Sequence, residues 1–386
     1  MNRAKKVQMI VAALLPWYRA NARDLPWRRT RDPYAIWVSE IMLQQTQVKT
    51  VLPFWERWMR EFPTIESAAR ARSEKIHKLW EGLGYYTRVR NLQKAARVIQ
   101  REHNGKFPKR FEDILALPGI GRYTAGAIAS IAFNQPAPIL DGNVMRVLTR
   151  LFGITSNPHE KKTNHRLWRI AEELVLHSKQ TFKNSRSPCS RLNQSLIELG
   201  ALVCAPRNPR CGPCPVRRLC IARKTNRVNE LPNLGKREQP TARTFAAFLI
   251  ERNGHFLARR RPAGVVNSHL WEFPNVEIVS QNRNRPGTAN GKHRNSFDRY
   301  AIAAKGLGVE FCDARPLCTV KHSITRYRMT LEAFRAQLKE APENTDAVWV
   351  PRARLDSLPF TSAHRKVANR LLSRVGLAQR SGIVTD

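Results

Sequence analysis

Apolar positions in the first part of the chain recur at helical spacing. Val7, Ile10, Val11, Leu14, Leu15 and Tyr18 follow the i, i+3, i+4, i+7 pattern of an amphipathic first helix. The same period runs through IWVSEIMLQQTQVKTVLPFW (36–55) and VMRVLTRLFG (144–153). Short breakers interrupt it: FPT (62–64), GLGYY (82–86), LPGIG (117–121) and FNQPAP (133–138). Residues 1–222 therefore read as one mostly helical domain. The pattern changes near residue 225, where TNRVNELPNLGKREQP loses apolar periodicity, and a linker is expected over 223–242. Beyond it, TFAAFLIERNGHFLARRR (244–261) holds two strand-like runs around Asn253-Gly254, a strong hairpin signal. A polar stretch, 279–296, reads as an exposed loop, and 317–338 reads as strands again. The expected fold is thus multidomain: an all-helical domain, then an α/β domain over 243–375 and a tail over 376–386.

Charge narrows the function. The 386 residues carry a formal net charge of +37, with a sequence pI near 11.1. An excess of that size points to a polyanionic partner. Residues 199–229 contain no Asp or Glu but hold Arg207, Arg210, Arg217, Arg218, Arg223, Lys224 and Arg227. A solvated charged face mixes signs, so this run suits phosphates better. The N-terminus imitates a secretory signal, but its apolar residues keep the spacing of an amphipathic helix. No stretch is long and apolar enough to span a bilayer. Clustered thiols also argue against export, so a cytoplasmic, nucleoid-associated protein is expected.

Cys204, Cys211, Cys214 and Cys220 are spaced C-x6-C-x2-C-x5-C, with prolines at 206, 209, 213 and 215. Four thiolates so close can wrap one compact centre. Zinc sites favour two close pairs of ligands, and only one Cys-x2-Cys pair is present. Four cysteines suit a cubane iron–sulfur cluster equally. Spacing alone leaves the two open. Cys189, Cys312 and Cys318 fall outside the pattern.

The LPGIG turn joins two helical patterns, FEDILAL and RYTAGAIASIAF. Glycine accepts positive φ and lets the backbone approach a ligand. N–H groups beside a helix N-terminus can hold a phosphate. A plain helix–turn–helix corner is the alternative. A dinucleotide-binding reading fails, since no strand precedes the turn and the third glycine is missing.

Three signals coincide: the glycine turn, an aspartate twenty residues beyond Gly121 in LDGNV (140–144), and the cysteine cluster. Together they resemble the endonuclease III superfamily of DNA glycosylases. SEIMLQQTQV (39–48), GLGYY (82–86) and the tyrosine of PGIGRYTAG sharpen this to the adenine DNA glycosylases, the MutY family. The resemblance covers residues 5–222 and extends more weakly through the second domain. It implies a helix-hairpin-helix catalytic domain closed by a [4Fe–4S] cluster on Cys204, Cys211, Cys214 and Cys220, in a loop over 204–220. It implies a Nudix (MutT)-like domain after it. The implied substrate is double-stranded DNA with adenine opposite 8-oxoguanine or guanine, handled by a monomer.

The same resemblance assigns roles. Glu40 matches the acid that protonates adenine, and Asp141 the carboxylate that stabilises the sugar cation. Asp141 also stands where an N-cap belongs. Asn143 would orient the sugar and Asp141. Tyr123 stands where lyase relatives carry a lysine; a phenol cannot form a Schiff base, so strand cleavage is not expected. Gln194 would read the adenine edge, with Trp27 and Arg28 lining the same pocket. Gln45 and Tyr85 would wedge into the stack and contact the opposite strand, while Gly119 and Gly121 hold the backbone.

The second domain departs from its relatives. Residues 299–311 lack the carboxylate set of a working Nudix box, so recognition rather than hydrolysis is expected. Ile324, Thr325 and Arg326 stand where the family typically carries Phe-Ser-His, with Thr325 and Arg326 as expected DNA contacts.

Overall fold

The computed structural model describes residues 1–182, 186–235, 238–278, 311–324, 326–338 and 346–378. Thr325, the polar stretch 279–296, residues 299–310 and the tail beyond 378 lie outside the described residues. Contacts divide the chain into two units. One holds Met1–Ala71 and Arg88–Arg237; the other holds Arg72–Thr87 and Glu238–Asp386.

The first unit is helical. Its opening helix, α1 (Arg3–Asn21), is capped by the Asn2 side chain and buries the six apolar residues that its periodicity singles out. Helix α2 (Pro33–Leu43) starts on an Asp32 cap with proline at its first position. Tyr34 through Met42 are all buried, so α2 is a core helix surrounded on every side. The helical period of 36–55 does not continue unbroken. α2 stops at Leu43, and α3 (Val48–Glu61) begins after a four-residue turn in which Gln45 is left-handed, with φ 58°. Arg88 explains why this end is stable: its Nη1 donates to the carbonyls of Ile41, Met42 and Gln44, which the helix leaves unpaired.

After α4 (Ile65–Arg70), the chain passes through α5 (Ser73–Leu79) in the second unit and returns along α6 (Thr87–Glu102). The short α7 (Phe111–Leu115) leads by the glycine turn into α8 (Arg122–Ile131). Helices α9 (Gly142–Phe152), α10 (Lys161–Thr181) and α11 (Pro188–Leu202) complete a core shared with α1. The cysteine loop and a four-residue α12 (Ile221–Lys224) follow. The next residues stay bound to this unit: Leu231 is buried and its carbonyl accepts from Arg150 Nε at 2.8 Å.

The second unit is built on a mixed sheet in the order β3-β2-β1-β6-β5, with β4 added to β1 and β7 to β2. β1 (Thr241–Arg252) runs parallel to β6 (Tyr327–Leu338), and its Ala246–Ile250 segment is buried. A continuous apolar run of this kind suits a central strand covered on both faces. Asn253 and Gly254, both with positive φ, turn β1 into β2 (His255–Arg260) as the sequence signal requires. β3 (Trp271–Glu272) and β4 (Asn275–Ile278) follow. β5 (Phe311–Ile324) pairs with β6 as an antiparallel hairpin, and β7 (Ala347–Pro351) completes the sheet. Helix α13 (Ser362–Ala378) covers one face through Val367, Ala368 and Leu371.

One close approach sets the position of residue 141. A Cβ on Gly126, inside α8, would stand 2.2 Å from the Pro138 carbonyl oxygen. Asn193 fixes the same segment from the other side, donating 2.8 Å to the Ala137 carbonyl and 2.8 Å to Ser130 Oγ. Gly126→Ala must push residues 137–140 off α8. The expected loss of stability is about 1–3 kcal/mol, the usual range for an overpacked core. Urea unfolding of the full chain checks this, and an unchanged midpoint would show that the segment shifts freely.

Candidate active site

Glu40 lies on α2, the helix buried on every side. The residue is 7% exposed, and its carboxylate accepts a 2.9 Å hydrogen bond from the Tyr123 hydroxyl. Burial raises its pKa to about 7; the Tyr123 bond opposes the rise and the charge of Asp141 adds to it. Tyr123 sits at the second position of α8, just past the glycine turn, and burial keeps its own pKa well above the ordinary phenol range.

Asp141 is the N-cap of α9 and accepts from Val144 N at 2.7 Å. Its other oxygen accepts from Asn143 Nδ2 at 2.8 Å. Burial raises the Asp141 pKa, and these cap hydrogen bonds favour the charged form against it. Asn143 is held in turn, its Oδ1 accepting from Arg146 Nη2 at 2.9 Å. Arg146 also donates to the carbonyls of Cys204 and Gly200. Gly200 is glycine for a packing reason: a Cβ there would come within 2.6 Å of the Asn143 Cβ.

These groups face one cavity of about 920 Å³. It brings together Glu40, Tyr123, Asp141, Asn143, Gln194, Trp27, Arg28 and Gln45 from five separate segments. Gln194 Oε1 accepts from the Tyr18 hydroxyl at 3.0 Å and its Nε2 donates to Ser190 Oγ at 3.1 Å. One N–H and one lone pair stay available. Trp27 is buried and packs edge-on against Trp55, 5.8 Å between centroids. Arg28 is not free to swing: Nη2 donates 2.8 Å to Glu198 and Nη1 donates 3.0 Å to the Arg23 carbonyl.

Glu198 was not anticipated from the sequence, nor were Arg146 and Tyr18. Glu198 is fully buried and accepts from Arg23 as well as Arg28. Burial pushes its pKa up, but the two guanidinium groups outweigh it and hold it at about 2. A signal for it existed: it follows Gln194 by four residues, on the same face of α11.

The two turn glycines do different work. Gly119 has φ 76°, and a Cβ on it would meet Asn91 at 2.5 Å. Gly121 is extended, with φ −95°, and a Cβ there would meet nothing within 4 Å. Only the first is demanded by the backbone; the second leaves open space at the start of α8. Two expected contacts belong to the second unit. Tyr85 is left-handed at φ 47° and 41% exposed. Arg326 is exposed at the β5–β6 tip and donates 3.1 Å to the Tyr327 hydroxyl.

Cys204, Cys211, Cys214 and Cys220 line a separate pocket with Arg150, Arg210, Arg217 and Arg223, closed by Val147, Leu151, Leu199, Val203, Val216 and Val228. No carboxylate lines it. Burial pushes the Cys214 thiol up to about 11, and the other three sulfurs add to the shift. A thiol raised in this way ionises more readily beside added positive charge, as metal ions supply. Among the described residues no three metal-ligating side chains converge as a single ion needs. All four cysteines line this one pocket, a donor set that fits a polynuclear cluster with one cysteine per metal.

Glu40 also sets a pH-dependent cost. The native group titrates near 7 against an ordinary 4.5, so the folded chain binds more protons between those values. Stability therefore falls as pH rises from about 4.5 to 7, and the full cost stands above 7. Glu40→Gln should unfold at higher urea than the parent at pH 8, by on the order of 2–3 kcal/mol, with the gap shrinking toward pH 5. A gap independent of pH would mean that the carboxylate is not held in this way.

Comparison with known proteins gives two family matches along the chain. Residues 38–173 match the HhH-GPD superfamily of base excision DNA repair proteins, and 246–370 match the NUDIX domain. The chain is 33% identical to the adenine DNA glycosylase of Rattus norvegicus over 92% of its own length and 76% of the relative's. It is 37% identical to that of Homo sapiens, covering 92% of this chain and 72% of the other. Among solved structures, a thermostable thymine-DNA glycosylase aligns with TM-score 0.51 and 32% identity, over 57% of this chain and 98% of its own.

Proposed function

The chain belongs to the adenine DNA glycosylase family, and on that premise we propose that it excises adenine standing opposite 8-oxoguanine or guanine in DNA, leaving an abasic site. It is an enzyme of base excision repair that hydrolyses an N-glycosidic bond. The observation that carries the reading is a buried carboxylic acid, poised near neutral pH, facing a second carboxylate across an open cavity.

The target base must leave the stack to reach the cavity. Gln194 then has one donor and one acceptor for the adenine edge, and Trp27 supplies an apolar wall. Glu40 in its acid form donates its proton to adenine N7 as the C1′–N9 bond breaks. The sugar gains positive charge, and the Asp141 carboxylate, aimed by Asn143 and the α9 cap, stabilises it. Water adds at C1′ and passes its proton to the Glu40 carboxylate. Tyr123 holds Glu40 in place and has no amine, so the strand stays whole. The thymine-DNA glycosylase aligns with 57% of this chain, whereas the adenine DNA glycosylases align with 92% of it.

Cys204, Cys211, Cys214 and Cys220 would hold a [4Fe–4S] cluster, with the four arginines offsetting its negative charge. When bound, the cluster would supply a cross-link that closes the loop, and none of the steps above runs through it. Gly121, Gln45 and Tyr85 are read as contacts to the duplex, made by a monomer. Ile324, Thr325 and Arg326 are read as contacts to 8-oxoguanine, and the second unit as a recognition module. No helix among the described residues is long and apolar enough to cross a membrane.

Single-turnover cleavage of a duplex with one A·8-oxoguanine pair tests the proposal. Breakage at the adenine is expected only after hot alkali. The rate should fall as pH rises through about 7, where Glu40 loses its proton. Glu40→Gln should lose roughly 10²–10⁴ in rate while still binding the duplex. Breakage without alkali, or a rate that rises through pH 7, would overturn it. Separately, the purified protein should be brown and contain iron and acid-labile sulfide in equal amounts; zinc in their place would overturn the cluster assignment.

A further inference from the structure

The GLGYY stretch carries an unusual concentration of left-handed backbone. Gly82 has φ 109°, Gly84 68° and Tyr85 47°. The tyrosine has a Cβ, so its conformation carries strain, and the residue is nonetheless 41% exposed. Strained backbone persists only where the surroundings over-determine it. Here the surroundings belong to the second unit, which includes residues 72–87.

Two side chains just before the loop hold it. Trp80 Nε1 donates 3.1 Å to the Gly84 carbonyl, bridging the loop. Glu81, adjoining Gly82, is 11% exposed at its side chain. Its Oε1 accepts from Arg365 Nε at 2.7 Å and from the Phe360 amide at 3.1 Å, and its Oε2 accepts from Lys78 Nζ at 2.7 Å. Arg365, on α13, is 12% exposed and saturated with further acceptors, the carbonyls of Leu355, Asp356 and Leu358. Its guanidinium also lies 5.2 Å from the centre of the Phe360 ring. A half-satisfied version of so dry a pair is costly, so neither partner can leave alone.

We propose that Arg365 is a positioning residue: through Glu81 it holds the Tyr85 loop in its strained, displayed form and so sets the grip on the DNA strand opposite the target adenine. The inference rests on the reading of Tyr85 as a contact to that strand. Arg365 touches no DNA in this account; its effect passes through residues 81–85.

A double-mutant cycle on the full chain tests it. Duplex affinity is measured with a non-cleavable adenine analogue opposite 8-oxoguanine, and excision with enzyme in saturating excess. Glu81→Gln and Arg365→Met should each weaken affinity about five- to tenfold, while the saturated rate changes by less than about twofold. In a Tyr85→Ala background the same changes should add less than about twofold. Arg365→Lys, which keeps the charge and one bond, should fall between. Amide exchange at residues 82–86 should quicken in Glu81→Gln, a readout independent of DNA. Unchanged exchange, or an undiminished effect in the Tyr85→Ala background, would overturn the proposal. Quickened exchange with a silent Tyr85→Ala would instead bring down the reading of Tyr85 itself, and with it the link to DNA.

Discussion

The proposed chemistry depends on keeping a carboxylic acid dry without giving it a counter-charge. Glu40 meets this on a helix with no solvent-facing side, where a neutral phenol supplies it with a hydrogen bond. Glu198 shows how easily the balance could have gone the other way. It is as buried as Glu40, yet the guanidinium groups of Arg23 and Arg28, two residues of the cavity lining, take its pKa to about 2 rather than about 7. Two carboxylates pushed apart in this way are a mark of divided labour. One stays able to give a proton; the other is spent on holding Arg23 and Arg28 still. Arg28 is thereby kept from pairing with Glu40, although its charge still lowers the Glu40 pKa slightly.

The second carboxylate of the cavity solves a different problem. For the proposed reaction Asp141 must stay charged although burial opposes it. An N-cap supplies the remedy with local parts, because backbone N–H groups at a helix start favour a negative group. In the proposed reaction, capping and stabilisation of the sugar cation fall to this one residue. The cap itself is positioned by the 137–140 segment, which fits against α8 only because residue 126 is glycine. Packing several residues away therefore reaches the cavity through the backbone, and no flexible side chain intervenes.

Local signals were readable in the sequence to the extent that they were local. The apolar face of α1, the Asn253-Gly254 turn, the Asp141 cap and the cysteine spacing all depend on neighbours in the chain. What escaped was set by distant partners. The period of 36–55 gave no hint of a break, because Arg88 makes the break stable from forty-four residues beyond Gln44. Glu198 and Arg146 carry no motif; each is defined by whom it meets in space. The motif match placed Glu40, Tyr123, Asp141, Asn143 and Gln194 in one group, and they do line one cavity, drawn from α2, α8, α9 and α11.

Segment 72–87 shows the limit of reading domains along a chain. Its helical period resembles its neighbours, yet its contacts lie with the sheet and α13. Periodicity reports that a helix has an apolar face and says nothing of what covers it. The partners here are charged: Glu74 with Arg260, and Glu81 with Arg365, each separated by well over a hundred residues in sequence. In a chain with net charge +37, a carboxylate has many cations to choose from. The few that become dry, saturated pairs are chosen by geometry alone. Burial is what distinguishes Glu81 from an exposed pair such as Glu66–Arg70, and it makes the contact specific as well as attractive.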